Sequence, residues 1–231
     1  MNISLSKSFI GSIRHEATDM AGNFLEIGLD ALSKEGLIRD IPFVSTVAAL
    51  FHMGQSISDW NSLRKLAAFI EQINHSICSE AELEKYRASF EREERTRNTE
   101  LTHLLILIDR YLGVDRPKML AKLYLAYLRG EISWDDLTSY AEVIDRLLPC
   151  DYSLMTEEGI QSVDYKNVNS GYLRLAALGI MIDYGRNTGY SEMGVAIIGG
   201  HRKSYALTDF GRKLAQILDI LPKEIPDTPS A

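Results

Sequence analysis

The chain is poor in cysteine and has no segment that reads as a permanent membrane span. Its 231 residues include only two cysteines, Cys78 and Cys150, so a disulfide scaffold is excluded and a reducing cytoplasm is the expected location. No basic cluster followed by a long apolar run opens the chain, so no secretory signal is predicted. A content of 45% hydrophobic and 25% charged residues is typical of a folded globular protein.

Motifs for catalysis are also missing. The chain has no Gly-x-Ser-x-Gly elbow, no Walker loop and no Cys-x-x-Cys pair. Its five histidines are scattered and lack the spacing that a zinc site requires. We therefore predict no enzyme activity, no catalytic residues, no metal site and no cofactor.

Acidic side chains outnumber basic ones, 32 to 25, and the formal net charge is −7. This balance excludes a uniformly basic nucleic-acid binder. The charge changes sign along the chain, because residues 1–159 carry −8 whereas residues 160–215 carry +3. Such a change indicates two parts with different partners.

Helical periodicity dominates the first part, and residues 1–150 are predicted to form an all-α bundle. One long helix is expected over 80–112, with a charged half up to residue 100 that is typical of solvated helix surface. The signals for helix starts and stops follow known capping preferences. The starts are Pro42, Ser79 with Glu82, and Ser133 with Asp136, and the stops are Gly113 and Gly130.

The longest uncharged stretch spans residues 41–58. As one helix it would cover about 27 Å, close to the thickness of a bilayer core. It is interpreted either as a buried helix of the bundle or as a helix that leaves the core and inserts into a membrane. The two interpretations are compatible if the protein switches between a state with the helix buried and a state with the helix in the membrane. The predicted membrane-inserting residues are Ile41, Phe43, Val44, Val47, Ala48, Leu50 and Phe51.

After residue 150 the pattern changes to alternating helices and strands. The predicted elements are a helix at 172–178 ended by Gly179, strands at 180–184, 195–198 and 204–207, and a final helix capped by Thr208.

This order, with the runs at 173–180 and 205–212, resembles a winged-helix domain, which is a helix-turn-helix variant with a hairpin wing. The fold class is therefore predicted to be mainly α, with a helical bundle followed by a winged-helix domain at 153–221 and a flexible tail at 222–231. Gly211 is expected to allow close packing of the last helix.

The winged-helix resemblance implies a nucleic-acid interface made of basic side chains. Its expected members are Lys166, Arg174, Arg186, His201, Arg202, Lys203, Arg212 and Lys213.

The first part resembles a family of bacterial proteins, several of which look like antiphage-defence effectors of the Hailong type. In that type, an oligonucleotide signal holds a channel-forming protein inactive. The resemblance covers residues 20–150 and rests on Glu26-x-Gly28-x-Asp30, Ile41-Pro42-Phe43-Val44, Ser56-Ile57-Ser58-Asp59, and Arg64-Lys65-Leu66 with Phe69.

The leading hypothesis is therefore a cytoplasmic homo-oligomeric defence effector that associates with the membrane when activated. It forms a channel or disrupts the bilayer, and an oligonucleotide, DNA or protein ligand at the winged helix gates it. The alternative is a cytoplasmic winged-helix DNA-binding regulator with a helical dimerisation domain. A third hypothesis is an adaptor whose winged helix docks a partner protein.

Overall fold

The computed structural model describes residues 4–13, 40–53, 56–77, 79–156, 161–164, 168, 170–186 and 202–222. The chain divides into two compact units, Met1–Ala141 and Glu142–Ala231. The described residues are mainly helical, with a small antiparallel sheet in the second unit, and this confirms the predicted mainly α class. The predicted strand at 195–198 and nearly all of the predicted tail lie outside the described residues.

Seven helices are described in the first unit, and the last of them ends in the second unit. They are α1 (Leu5–Ser12), α2 (Pro42–Phe51), α3 (Ile57–Ser76), α4 (Glu80–Arg92), α5 (Glu94–Arg110), α6 (Asp115–Arg129) and α7 (Trp134–Arg146).

Aromatic side chains from several of these helices meet at Phe9 of α1. Its ring stacks on Phe90 with centroids 5.2 Å apart and makes edge contacts with Phe43 at 5.5 Å and Tyr124 at 6.0 Å. Phe9 is fully buried. Aromatic pairs at these distances add about 1 kcal/mol each beyond the area they bury, so α1, α2, α4 and α6 share one core.

Several predicted capping signals lie at helix ends, whereas Gly113 does not, because α5 ends at Arg110 with Tyr111 as its C-cap. The Ser79 hydroxyl accepts the Glu82 N–H at 3.2 Å, and the Ser133 hydroxyl accepts the Asp136 N–H at 3.1 Å. Gly130 ends α6 in the left-handed region with φ +78°, which glycine adopts without strain. These expectations are confirmed, because each depends only on residues within one turn.

The expectation of one long helix over 80–112 is wrong. The helix breaks at Glu93, whose backbone angles of −115° and 29° are not helical, and it resumes as α5. Arg97 is buried rather than solvated. Its guanidinium donates to Ser89 Oγ at 3.1 Å and to a Glu93 carboxylate oxygen at 2.8 Å, so it ties α5 to the end of α4.

The uncharged run at 41–58 is not one helix either. Helix α2 ends at Phe51, and His52 adopts a left-handed backbone with φ +53°. Helix α3 then begins with a capping box, in which Ser56 Oγ accepts the Asp59 N–H at 3.1 Å and the Asp59 carboxylate accepts the Ser56 N–H at 3.0 Å. The break has a local cause, since a capping box fixes a helix start.

The described part of the second unit combines short helices with three strands. Its described elements after α7 are a 3-10 helix (Pro149–Met155), β1 (Gln161–Asp164), α8 (Ser170–Ala177), β2 (Met181–Arg186), β3 (Arg202–Leu207) and α9 (Asp209–Ile217). The sheet order is β1-β3-β2 and both pairings are antiparallel. The helix, two strands and helix expected over 170–217 are confirmed, whereas β1 was not predicted.

Helix α9 lies against the turn between α8 and β2 because Gly211 has no side chain. A Cβ on Gly211 would lie 2.2 Å from the Ile180 carbonyl oxygen. The Thr208 hydroxyl accepts the Gly211 N–H at 2.9 Å and donates to the Gly179 carbonyl at 2.7 Å. The predicted roles of Thr208 as a cap and of Gly211 in close packing are both confirmed.

Candidate membrane helix and nucleic-acid interface

Helix α2 presents most of the predicted membrane-inserting residues to the core. Five of the seven are buried in this structure, and the other two are exposed at the end of the helix. The buried members are Ile41, Phe43, Val44, Val47 and Ala48, and the exposed ones are Leu50 and Phe51. A core position therefore explains five of these apolar residues, but not the last two.

The N-terminus of α2 is held by a side chain of α1. The N-cap residue Ile41 has no side-chain acceptor, so another residue must satisfy the free N–H groups of the first turn. The fully buried Ser12 does so, because its hydroxyl accepts the Phe43 N–H at 2.7 Å. The same hydroxyl donates to the Ser8 carbonyl at 3.0 Å, which fixes its orientation.

No helix among the described residues is long and apolar enough to cross a membrane. The ten residues of α2 would reach about 15 Å, which is half of a bilayer core.

An apolar cavity of about 400 Å³ lies beside α2, between α2, α3 and α5. Val47, Leu66 and Leu105 form its wall, and the exposed side chains of Phe51 and Ile106 form its mouth. This cavity was not predicted from the sequence. The sequence feature that could have indicated it is the run of five apolar residues at 104–108. Five consecutive apolar residues cannot all lie on one buried face of a helix, so Ile106 is exposed.

Lys65 of α3 is buried at the C-terminal end of α5. The Lys65 ammonium donates to the carbonyl oxygens of Asp109 at 2.6 Å and Tyr111 at 3.1 Å, at the C-terminal end of α5. Burial lowers the pKa of Lys65, and the charge of Asp109 opposes this change. A cation at a helix C-terminus is stabilised by the helix dipole, so Lys65 caps α5.

In the second unit, Arg174 binds a buried carboxylate. Its guanidinium donates from Nε to Asp151 Oδ2 at 2.8 Å and from a terminal nitrogen to Oδ1 at 2.6 Å, while Asp151 is fully buried. Burial by itself would raise the pKa of Asp151, but hydrogen bonds from Arg174 and from the Leu148 N–H outweigh it and lower the pKa. Arg174 therefore joins α8 to the 3-10 helix in this structure.

Three of the predicted basic residues come together at one end of the sheet. The pairing of β2 with β3 places Arg186 opposite Lys203, and Arg202 lies next to Lys203 in the chain. The Lys203 ammonium binds the Asp183 carboxylate at 2.7 Å, and this hydrogen bond raises the pKa of Lys203. Asp164 of β1 stands opposite Arg202.

The remaining predicted basic residues are dispersed. Arg212 and Lys213 are half-buried on α9. Lys166 and His201 lie outside the described residues. Sequence reasoning also missed Asp151 and Asp183, the carboxylates that bind Arg174 and Lys203, because neither lies near its partner in the chain.

The chain has no match among protein-family models, among curated proteins or among solved structures. Within the described ranges, no group of three His, Cys, Asp or Glu side chains is placed to hold a metal ion.

Proposed function

We propose that this protein is a bacterial defence effector whose helical unit acts on a membrane under the control of an oligonucleotide bound by its C-terminal unit. The observation that carries the proposal is the end of α2. This uncharged helix terminates in Leu50 and Phe51, which are 40% and 61% exposed, and Phe51 shares the cavity mouth with Ile106. Apolar side chains grouped at a surface are typical of a contact with a membrane or a partner.

The active form requires a rearrangement around His52. If residues 41–58 join into one helix, it reaches about 27 Å, and small residues such as Ser45 and Ala49 let copies pack closely around a channel. The left-handed backbone at His52 costs about 1–2 kcal/mol, which such a join relieves. The core contacts of Phe43 and Val44 oppose it, so the resting state keeps α2 packed.

The control site of this proposal is the C-terminal unit, taken as a winged helix. The sheet order β1-β3-β2, with α8 before β2 and α9 after β3, supports this assignment. The phosphate contacts are then assigned to the positions of Arg186 and Arg202 at one end of the sheet, since Lys203 binds Asp183. The oligonucleotide must bind one state of the protein better than the other, since equal affinity shifts no population.

Leakage of a dye from anionic liposomes tests the proposal. Ala49 is exposed on α2, so Ala49→Asp leaves the core intact and places a charge on the helix that must enter lipid. The matched control is Ala88→Asp, at an exposed position of the polar helix α4. We expect leakage that depends on a short single-stranded DNA, persists in Ala88→Asp and is lost in Ala49→Asp. Leakage that is absent with and without DNA contradicts the proposal.

The sheet topology also favours a second candidate, a cytoplasmic DNA-binding regulator with a helical dimerisation unit. This candidate predicts tighter binding to duplex DNA than to single strands. The logarithm of the binding constant should fall linearly with the logarithm of the salt concentration. Arg202→Glu reduces the magnitude of that slope by about 1, because it removes one phosphate contact. Duplex binding combined with no leakage would favour the regulator over the effector.

A further inference from the structure

Helix α1 is capped at its N-terminus by a side chain of α5. The Ser6 N–H, in the first turn of α1, donates to Asn98 Oδ1 at 2.9 Å. Because Ser6 is buried, a loss of Asn98 leaves this N–H without a partner. The Ser4 hydroxyl also donates to a Glu94 carboxylate oxygen at 2.6 Å. These two contacts hold the start of α1 on the first turns of α5.

The other end of α1 caps α2. The Ser12 hydroxyl accepts the Phe43 N–H at 2.7 Å, and the Ser12 carbonyl accepts a hydrogen bond from Asn74 Nδ2 of α3 at 3.1 Å. A side chain of α5 therefore caps α1, and a side chain of α1 caps α2. We call these two bonds, from the Ser6 N–H to Asn98 and from the Phe43 N–H to Ser12, the capping relay.

Helix α1 buries little apolar surface of its own. Three of its eight residues are buried, Ser6, Phe9 and Ser12, and only Phe9 is apolar. Helix α6, in contrast, buries seven of its fifteen residues, among them Leu120 and Leu123. An isolated helix of eight residues is not stable in water, so α1 loses its helical structure when it undocks. Helix α1 should therefore open as one unit, at a lower free energy than α6.

We propose that α1 is a releasable strap that keeps α2 docked, and that Asn98 controls how often the strap opens. Among the described helices, α1 is the neighbour that α2 contacts most extensively. When α1 undocks, the Phe43 N–H loses its acceptor and the Phe43 ring loses its edge contact with Phe9, so α2 is released with it. The effect of this release on a membrane rests on the proposed function, whereas the release itself does not.

Hydrogen exchange of the full chain, followed by mass spectrometry, tests the strap. In the wild type we expect residues 6–13 and 43–51 to exchange at similar rates, at least about tenfold faster than residues 120–126. Asn98→Ala should accelerate exchange of both segments by about tenfold, because the buried Ser6 N–H loses its acceptor. Thr99→Ala is the matched control, since the exposed Thr99 hydroxyl bonds within α5, to the Arg95 carbonyl at 3.2 Å.

A conservative variant tests whether Asn98 acts as a cap. Asn98→Asp keeps an acceptor at the N-terminus of α1, so its exchange should stay within about threefold of the wild type. Three results would each overturn the proposal: exchange of residues 6–13 as slow as that of residues 120–126, acceleration of residues 6–13 alone in Asn98→Ala, or equal effects of Asn98→Ala and Thr99→Ala.

Dye leakage separates this proposal from the proposed function. If both hold, Asn98→Ala reaches half-maximal leakage at a lower concentration of single-stranded DNA than the wild type, whereas Thr99→Ala does not. Accelerated exchange in Asn98→Ala, with no leakage from any of these proteins, contradicts the proposed function and supports the strap. Leakage from the wild type that depends on DNA, with exchange unchanged in Asn98→Ala, overturns the strap and leaves the proposed function standing.

Discussion

The hydroxyl of Ser12 accepts a hydrogen bond from the backbone N–H of Phe43 at 2.7 Å, across 31 positions of the chain. Helix α2 thus receives its N-terminal cap from another helix and not from its own sequence. Because Ser12 is fully buried, no water replaces this bond while the helices stay packed. This hydrogen bond therefore joins α2 to α1 beside the edge contact of Phe9 with Phe43.

Ser12→Ala should loosen α2. The variant leaves the buried Phe43 N–H without its acceptor, which costs about 1–3 kcal/mol. We expect amide hydrogen exchange of residues 42–51 to accelerate by about tenfold, measured by mass spectrometry. Ser8→Ala is the matched control, because the Ser8 hydroxyl bonds only within α1, to the Leu5 carbonyl. Equal exchange in the two variants would contradict the role of Ser12 as a cap.

Gly211→Ala should destabilise the second unit strongly. The new Cβ would lie 2.2 Å from the Ile180 carbonyl oxygen, so α9 must move away from the turn, at a cost of about 3 kcal/mol. Gly11→Ala is the matched control, since its nearest neighbour is Pro42 Cβ at 3.9 Å and alanine favours helices. Denaturant unfolding measures the free energy of unfolding of the two variants. Hydrogen exchange of residues 202–217 then shows whether the loss lies in α9 and β3. An effect of Gly211→Ala no larger than that of Gly11→Ala contradicts the close approach.

Capping and turn residues were predictable from sequence, whereas long-range partners were not. Thr208, Gly179 and Gly130 act within one turn, so spacing alone revealed them. Strand β1 has the sequence Gln-Ser-Val-Asp and is specified by pairing with β3, some 40 residues away, and not by its own composition. The cavity and the hydrogen bond between Ser12 and Phe43 were not predicted for the same reason, because both depend on residues that are distant in the chain.

Charged residues showed this limit most clearly. The sequence pattern predicted that Arg174 and Arg97 are cations at the surface. In the structure each of them binds a buried carboxylate. A charge pattern along the chain reports how many cations exist, but tertiary partners determine which of them remain available to a ligand.

The bond between Arg174 and Asp151 should make the second unit sensitive to acid. The lowered pKa of Asp151 means that its contribution to stability is complete above the unfolded pKa, near 4, and is lost as pH falls through the folded pKa. Hydrogen exchange of residues 170–177 should therefore accelerate below about pH 4. Asp151→Asn should exchange faster at pH 7 and show a weaker dependence on acid. An unchanged pH dependence in this variant would rule out Asp151 as the titrating group.

Lys65 should give the first unit a pH dependence of the same sign, in the alkaline range. Its pKa is lowered by burial, so the unfolded chain binds more protons, and the wild type gains stability as pH rises from the folded pKa towards about 10.4. Lys65→Met lacks this gain and leaves the carbonyls of Asp109 and Tyr111 without their donor, at a cost of about 2 kcal/mol. Urea unfolding at several pH values compares the two proteins. A difference that stays constant or shrinks with rising pH would contradict this assignment.

The proposed function requires the apolar end of α2 to enter lipid when the C-terminal unit changes its bound state. Quenching of Phe51→Trp fluorescence by brominated lipids in anionic vesicles tests this step, with the signal of Trp60 and Trp134 in the parent protein subtracted. We expect quenching at position 51, and we expect its extent to change when a short single-stranded DNA is added. A tryptophan at position 51 that stays unquenched with and without the DNA would show that this end of α2 does not enter lipid.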